Sequence, residues 1–70
     1  MNNISSIRKD WKLIESFINT NSRVLDIGCG EAELMEQLTK NLNAQTHGIE
    51  LNSELAQKAI SKGFNVIHGN

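Results

Sequence analysis

Residues 24–34 read Val24-Leu25-Asp26-Ile27-Gly28-Cys29-Gly30-Glu31-Ala32-Glu33-Leu34, an apolar run that meets two glycines and then a segment with helical spacing. Val24, Leu25 and Ile27 have the character of a short strand buried in a parallel sheet, where apolar residues follow one another without alternation. Gly28 and Gly30 end that strand, because a backbone that turns sharply and approaches a ligand leaves no room for a Cβ. Glu31 and Glu33 then complement the positive end of a helix dipole, Leu34, Met35, Leu38 and Leu42 fall along one side, and Lys40 lies near the other end. A strand that passes through a glycine turn into a helix is the opening unit of an open α/β sheet.

The flanking segments extend this unit in both directions. Before it, Ile4, Ile7, Trp11, Ile14 and Ile18 recur at steps of three and four, which predicts a helix with one apolar face, and Asn19 to Ser22 form a polar break. After it, Asn41 and Asn43 are stop signals, and a second strand is placed over residues 45–50 by position more than by pattern, since only Ile49 there is strongly apolar. Asn52 or Ser53 caps a third helix whose buried face uses Leu55, Ala56, Ala59 and Ile60, with Gly63 as its left-handed terminator. Phe64, Val66 and Ile67 read as a third strand. The expected fold class is therefore α/β, a βαβαβ unit preceded by an N-terminal helix. It forms the first half of a doubly wound, Rossmann-like parallel sheet with right-handed crossovers. The chain reads as one domain, with residues 1–21 as helix and connector and residues 22–70 as a cofactor-binding half.

Composition narrows the function classes. Seventy residues with a single cysteine, Cys29, give neither a large core nor a disulfide framework, and the stability expected is marginal. A reducing, cytoplasmic setting fits the lone cysteine, and no His/Cys spacing suggests a metal site. Arg8, Lys9 and Asp10 stand where a signal peptide would be apolar, and no run is long enough to span a bilayer. Seven basic and eight acidic residues nearly balance, so neither nucleic acid nor a membrane surface is expected as a partner.

In open α/β sheets ligands settle beyond the carboxyl ends of the strands, which predicts that Asp26, Gly28, Glu50 and Asn70 meet at one crevice with the loop N–H groups facing the ligand. A dinucleotide site wants glycine or alanine at the sixth position of the loop, where this chain has Glu33. Asp26, Glu31 and Glu33 would also crowd carboxylates around an anionic pyrophosphate. S-adenosylmethionine carries a sulfonium and an ammonium and no phosphate, so an acidic mouth suits its positive charges while loop N–H groups meet its carboxylate. Glu50, at the end of the second strand, is placed to accept from ribose hydroxyls in either cofactor class, and Asn70 to meet an adenine edge.

Several residues carry a plainer reading beside the functional one. Asp26 either faces the cofactor or caps neighbouring backbone N–H groups. Glu31 and Glu33 serve as dipole complements in the first turn. Cys29 sits where a helix dipole lowers a thiol pKa, yet a small residue filling a tight turn explains it without a paired histidine. His47 and His68, near strand ends, read as structural.

Val24-Leu25-Asp26-Ile27-Gly28-Cys29-Gly30 resembles motif I of class I S-adenosylmethionine-dependent methyltransferases; Gly48-Ile49-Glu50 resembles their acidic motif, and Val66-Ile67-His68-Gly69-Asn70 the start of the motif after the third strand. Within that superfamily the segment from Ala59 to Ile67 and the Gly48-Ile49-Glu50 strand end are most similar to MetW-type methionine-biosynthesis proteins. The resemblance implies S-adenosylmethionine as cofactor. Asp26 and the Gly28, Cys29 and Gly30 backbone would surround its methionine portion, Glu50 with the adjacent Leu51 its ribose end, and Asn70 its adenine. Ala32 stands where many members have a third glycine, and Asn70 where aspartate is usual. The resemblance also implies a homoserine acyltransferase as partner.

The superfamily builds its acceptor pocket on later strands, so the residues here are expected to supply a cofactor half without an assigned catalytic group. The first strand would then expose an edge suited to self-association. The alternatives are a non-catalytic accessory protein that docks on the acyltransferase, a dinucleotide-binding fragment, and a non-functional gene fragment.

Overall fold

The computed structural model describes residues 11–69; the expected helix positions Ile4 and Ile7 and the site residue Asn70 lie outside them. The elements in chain order are α1 (Trp11–Ser16), β1 (Arg23–Ile27), α2 (Glu33–Leu42), β2 (Gln45–Glu50), α3 (Ser53–Ser61) and β3 (Val66–His68). The strands form one parallel sheet in the order β1-β2-β3, as expected for the first half of a Rossmann-like fold. Register runs from Arg23 opposite Gln45 to Ile27 opposite Ile49, and from Gly48 opposite Val66 to Glu50 opposite His68. The weak sequence signal of β2 is overridden by its place at the centre of the sheet, where both sides of its backbone find hydrogen-bond partners.

Side chains alternate between two unlike faces. Asp26, Thr46, Gly48 and Glu50 are buried and Val24 and Val66 half-buried, while Leu25, His47 and Ile67 are exposed and Ile27 is 73% exposed. The continuous apolar run of β1 predicted a strand covered on both faces; among the described residues one face is bare, because the helices pack on the other. That covered face holds two small cores. Met35 of α2 packs with Cys29, Ala32 and Ala59, and with Phe64 and Val66 at the margin. Leu34 and Leu38 pack with Ala44 and receive Trp11, Ile14 and Ile18.

The helix ends follow the local chemistry. α1 stops at Ser16, and the Phe17 and Ile18 N–H groups donate to Ile14 and Glu15 in a tight turn, so the apolar stripe reaches Ile18 although the helix does not. Asn43 closes α2 in the left-handed region, its N–H donating to Thr39. At α3 the Asn52 side chain accepts from the Leu55 N–H. At the other end the Gly63 N–H donates to Ile60 and the Phe64 N–H to Ala59, a Schellman closure that requires the positive φ of Gly63. Ala56 and Ala59 are the buried residues of α3, whereas Ile60, expected inside, is 48% exposed. Two alanines let the helix approach the sheet closely and leave the larger side chain at its flank.

Candidate functional site

Three consecutive loop residues rest on three consecutive residues of β2. The Gly28 and Cys29 N–H groups both donate to the Ile49 carbonyl, at 2.7 and 3.2 Å, and the Gly30 N–H donates to Glu50 Oε1 at 2.7 Å. Cys29 sits over Gly48, where an added Cβ would come within 2.6 Å of the Cys29 sulfur and 2.8 Å of the Met35 sulfur. Gly48 is thus a notch in the strand that admits the loop.

Gly28 and Gly30 lie at φ +74° and +59°, while a Cβ on either would meet nothing within 4 Å. Conformation, and not crowding by the protein, requires glycine at both, and the space beside the loop remains open to a ligand. Ala32 takes the same left-handed conformation at φ 71° and is fully buried. The backbone there asks for glycine, and alanine pays about 1–2 kcal/mol in strain.

Glu50 is the centre of the site. It is 8% exposed, its Oε1 accepts from Gly30, and its Oε2 accepts from the Asn52 N–H at 2.8 Å. Its own carbonyl accepts from the Gly69 N–H at 2.9 Å, which brings the end of β3 to the same crevice. Asp26 is buried on β1, in register with Gly48. Leu51 is 65% exposed at the rim, and its carbonyl lies 3.0 Å from His68 Nε2. The fold therefore brings Asp26, Gly28, Cys29, Gly30, Glu50 and Leu51 to the carboxyl ends of β1 and β2, while Asn70 follows the last described residue.

His68 and Cys29 behave structurally, while His47 is exposed on β2. His68 tethers the turn after β2, and Cys29 turns its sulfur into the core, 3.7 Å from the Gly30 carbonyl. Sequence reasoning passed over Gly48 as a site residue and saw Asn52 only as a cap. The glycine two places before Glu50 was the available signal for the notch; nothing local foretold that the Asn52 backbone would bind the carboxylate.

The carboxylates of Asp26 and Glu50 are buried at the carboxyl ends of β1 and β2. Glu31 follows the loop but turns to the α3 terminus, the Lys62 ammonium donating to its carbonyl at 3.2 Å and standing 3.9 Å from its carboxylate. The Gly28, Cys29 and Gly30 N–H groups all donate to β2, so they are not turned toward a ligand as the sequence suggested. Among the described residues no cluster of His, Cys, Asp or Glu could hold a metal, and no helix is long and apolar enough to cross a membrane. A polar hollow lined by Gln45, Thr46, Gly63 and Asn65 lies at the opposite end of the sheet from the glycine loop.

The family model of the methionine biosynthesis protein MetW matches residues 8–70. A comparison with curated proteins gives no match. Among solved structures, the chain is similar to a TehB-like SAM-dependent methyltransferase from Corynebacterium glutamicum, with a TM-score of 0.74 and 22% identity over 86% of this chain and 33% of that one. It is also similar to a SAM-dependent methyltransferase from Geobacter sulfurreducens in complex with S-adenosyl-L-homocysteine, with a TM-score of 0.70 and 18% identity over 87% of this chain and 28% of that one. At these identities the likeness is one of fold, and the chain spans about a third or less of either protein.

Proposed function

This chain belongs to the MetW family of methionine biosynthesis proteins, and from that premise we propose that it binds S-adenosylmethionine in the crevice between the glycine loop and Glu50. The observation that carries the reading is the pair of buried carboxylates, Asp26 and Glu50, beside a loop whose N–H groups are committed to β2. A pyrophosphate needs those donors and is repelled by the carboxylates. The ammonium and sulfonium of S-adenosylmethionine gain from that charge, and its single carboxylate asks for fewer donors than a pyrophosphate does.

In this reading Asp26 and the backbone of Gly28, Cys29 and Gly30 surround the methionine portion. Glu50, at the end of β2, takes the ribose hydroxyls, since a carboxylate accepts about four hydrogen bonds. Leu51 offers apolar surface to the adenosine, and Asn70 an amide to the adenine edge. The bound cofactor supplies an electrophilic methyl group; this chain's part is to hold and orient it, and no residue here is assigned to the acceptor. A reducing, cytoplasmic setting agrees with Cys29 held as a buried thiol.

Calorimetric titration of the folded chain tests the reading. S-adenosylhomocysteine is expected to bind and NADH not to; binding of NADH alone, or of neither, rejects it.

A second reading, a non-catalytic protein that docks on a homoserine acyltransferase, is favoured by the bare apolar face of the sheet at Leu25, Ile27 and Ile67. A stable complex of the two purified proteins without methyl transfer would support it. Failure of the pair to associate would remove it.

A further inference from the structure

One side chain joins the two turns that frame the crevice. Glu50 Oε1 holds the Gly30 N–H of the turn between β1 and α2, and Oε2 holds the Asn52 N–H of the turn between β2 and α3. Both bonds are short, at 2.7 and 2.8 Å, both are assisted by the carboxylate charge, and the group is 8% exposed, where the surrounding low dielectric strengthens them. An acidic residue needed only for a ribose diol would have no reason to commit one oxygen to each turn. The glycine loop has no side chain of its own to lean on at Gly28 or Gly30, so what fixes it must come from β2.

We propose that Glu50 is a positioning residue for the whole crevice: its carboxylate sets the separation of the glycine loop and the β2–α3 turn, and so governs affinity for parts of the ligand that it does not touch. The ligand arm of this inference rests on the cofactor reading above; the strut itself does not. Glutamine is the informative replacement, because it matches glutamate in shape but has one acceptor oxygen, and its NH2 group opposes a backbone N–H donor.

The test follows the amides of Gly30 and Asn52 in the 15N-labelled full chain. In the parent protein both amides are protected from hydrogen exchange, and their chemical shifts titrate together with one carboxyl group. In Glu50→Gln at least one loses protection by about tenfold or more. In the ligand arm, S-adenosylhomocysteine and its 2′,3′-dideoxy analogue both bind Glu50→Gln more weakly than the parent, the diol-bearing ligand by the larger factor because it also loses its ribose contact. A contact with ribose alone would weaken only the diol-bearing ligand. Gly30 and Asn52 amides that ignore both pH and the substitution would overturn the proposal. Should Glu50→Gln fail to fold, the joint titration of the two amides in the parent decides it. If the parent binds no S-adenosylhomocysteine, the cofactor reading falls while the amide measurements still judge the strut.

Discussion

At Gly48 a missing methyl group decides whether the glycine loop can seat. A Cβ there would press on the sulfurs of Cys29 and Met35, and only the methionine has a flexible end with which to retreat. Gly48→Ala should cost about 1–3 kcal/mol from overpacking, read as a lowered melting temperature, and should weaken cofactor binding with it. Cys29→Ala in the same chain should restore part of both, because it removes the nearer obstacle; no recovery would mean that the strand itself, and not the loop contact, needs glycine. The positions of the candidate site residues at the strand ends were largely legible in sequence because the glycines and the acidic strand end announce themselves by spacing. The contacts among them were not. Glu50 was read as facing outward to ribose, and its bonds to Gly30 and Asn52 depend on how two turns distant in sequence are stacked by the sheet.

At the scale of elements, boundaries follow caps. Asn52 serves twice, its side chain closing the first turn of α3 and its N–H held by Glu50, so the start of that helix is tied to the site. Asn52→Ala removes the cap and should lower stability by about 0.5–2 kcal/mol, whereas Asn52→Asp should be nearly neutral; equal losses in thermal unfolding would contradict a capping role. The caps of α3 were readable because Asn52 and Gly63 are residues with few other uses at such positions. α2 was readable through Leu34, Met35 and Leu38, but its first turn was not, because a left-handed alanine at position 32 has no signature in sequence. β2 was hardly readable at all: its buried face carries Thr46, Gly48 and Glu50, which suit a helix layer packed close and a ligand at the end, and not a pattern of apolar residues.

For the whole molecule, the balance is between two small cores on one face of the sheet and an apolar surface on the other. Leu25, Ile27 and Ile67 lie exposed there, and a hollow of about 270 Å³ runs between Leu25, Ile49 and Ile67. Apolar surface of this kind, next to β1 as the outer strand among the described residues, favours association. We expect the chain to self-associate at high concentration, and Ile27→Lys combined with Ile67→Lys to reduce this in sedimentation while leaving the circular dichroism spectrum unchanged. Undiminished association would place the contact elsewhere. The β1 run misled at this scale, since Leu25 and Ile27 are as apolar as a doubly covered strand requires, and only the packing of the helices tells which face they cover.

The most direct test of a cofactor site at the glycine loop is to titrate the 15N-labelled chain with S-adenosylhomocysteine and follow every backbone amide. Saturable shifts concentrated at Gly28, Cys29, Gly30, Glu50 and Leu51, with Gln45 and Asn65 at the opposite end of the sheet unmoved, are the result predicted. A folded chain with no saturable shift at the loop, or with shifts confined to the opposite end, would contradict the assignment.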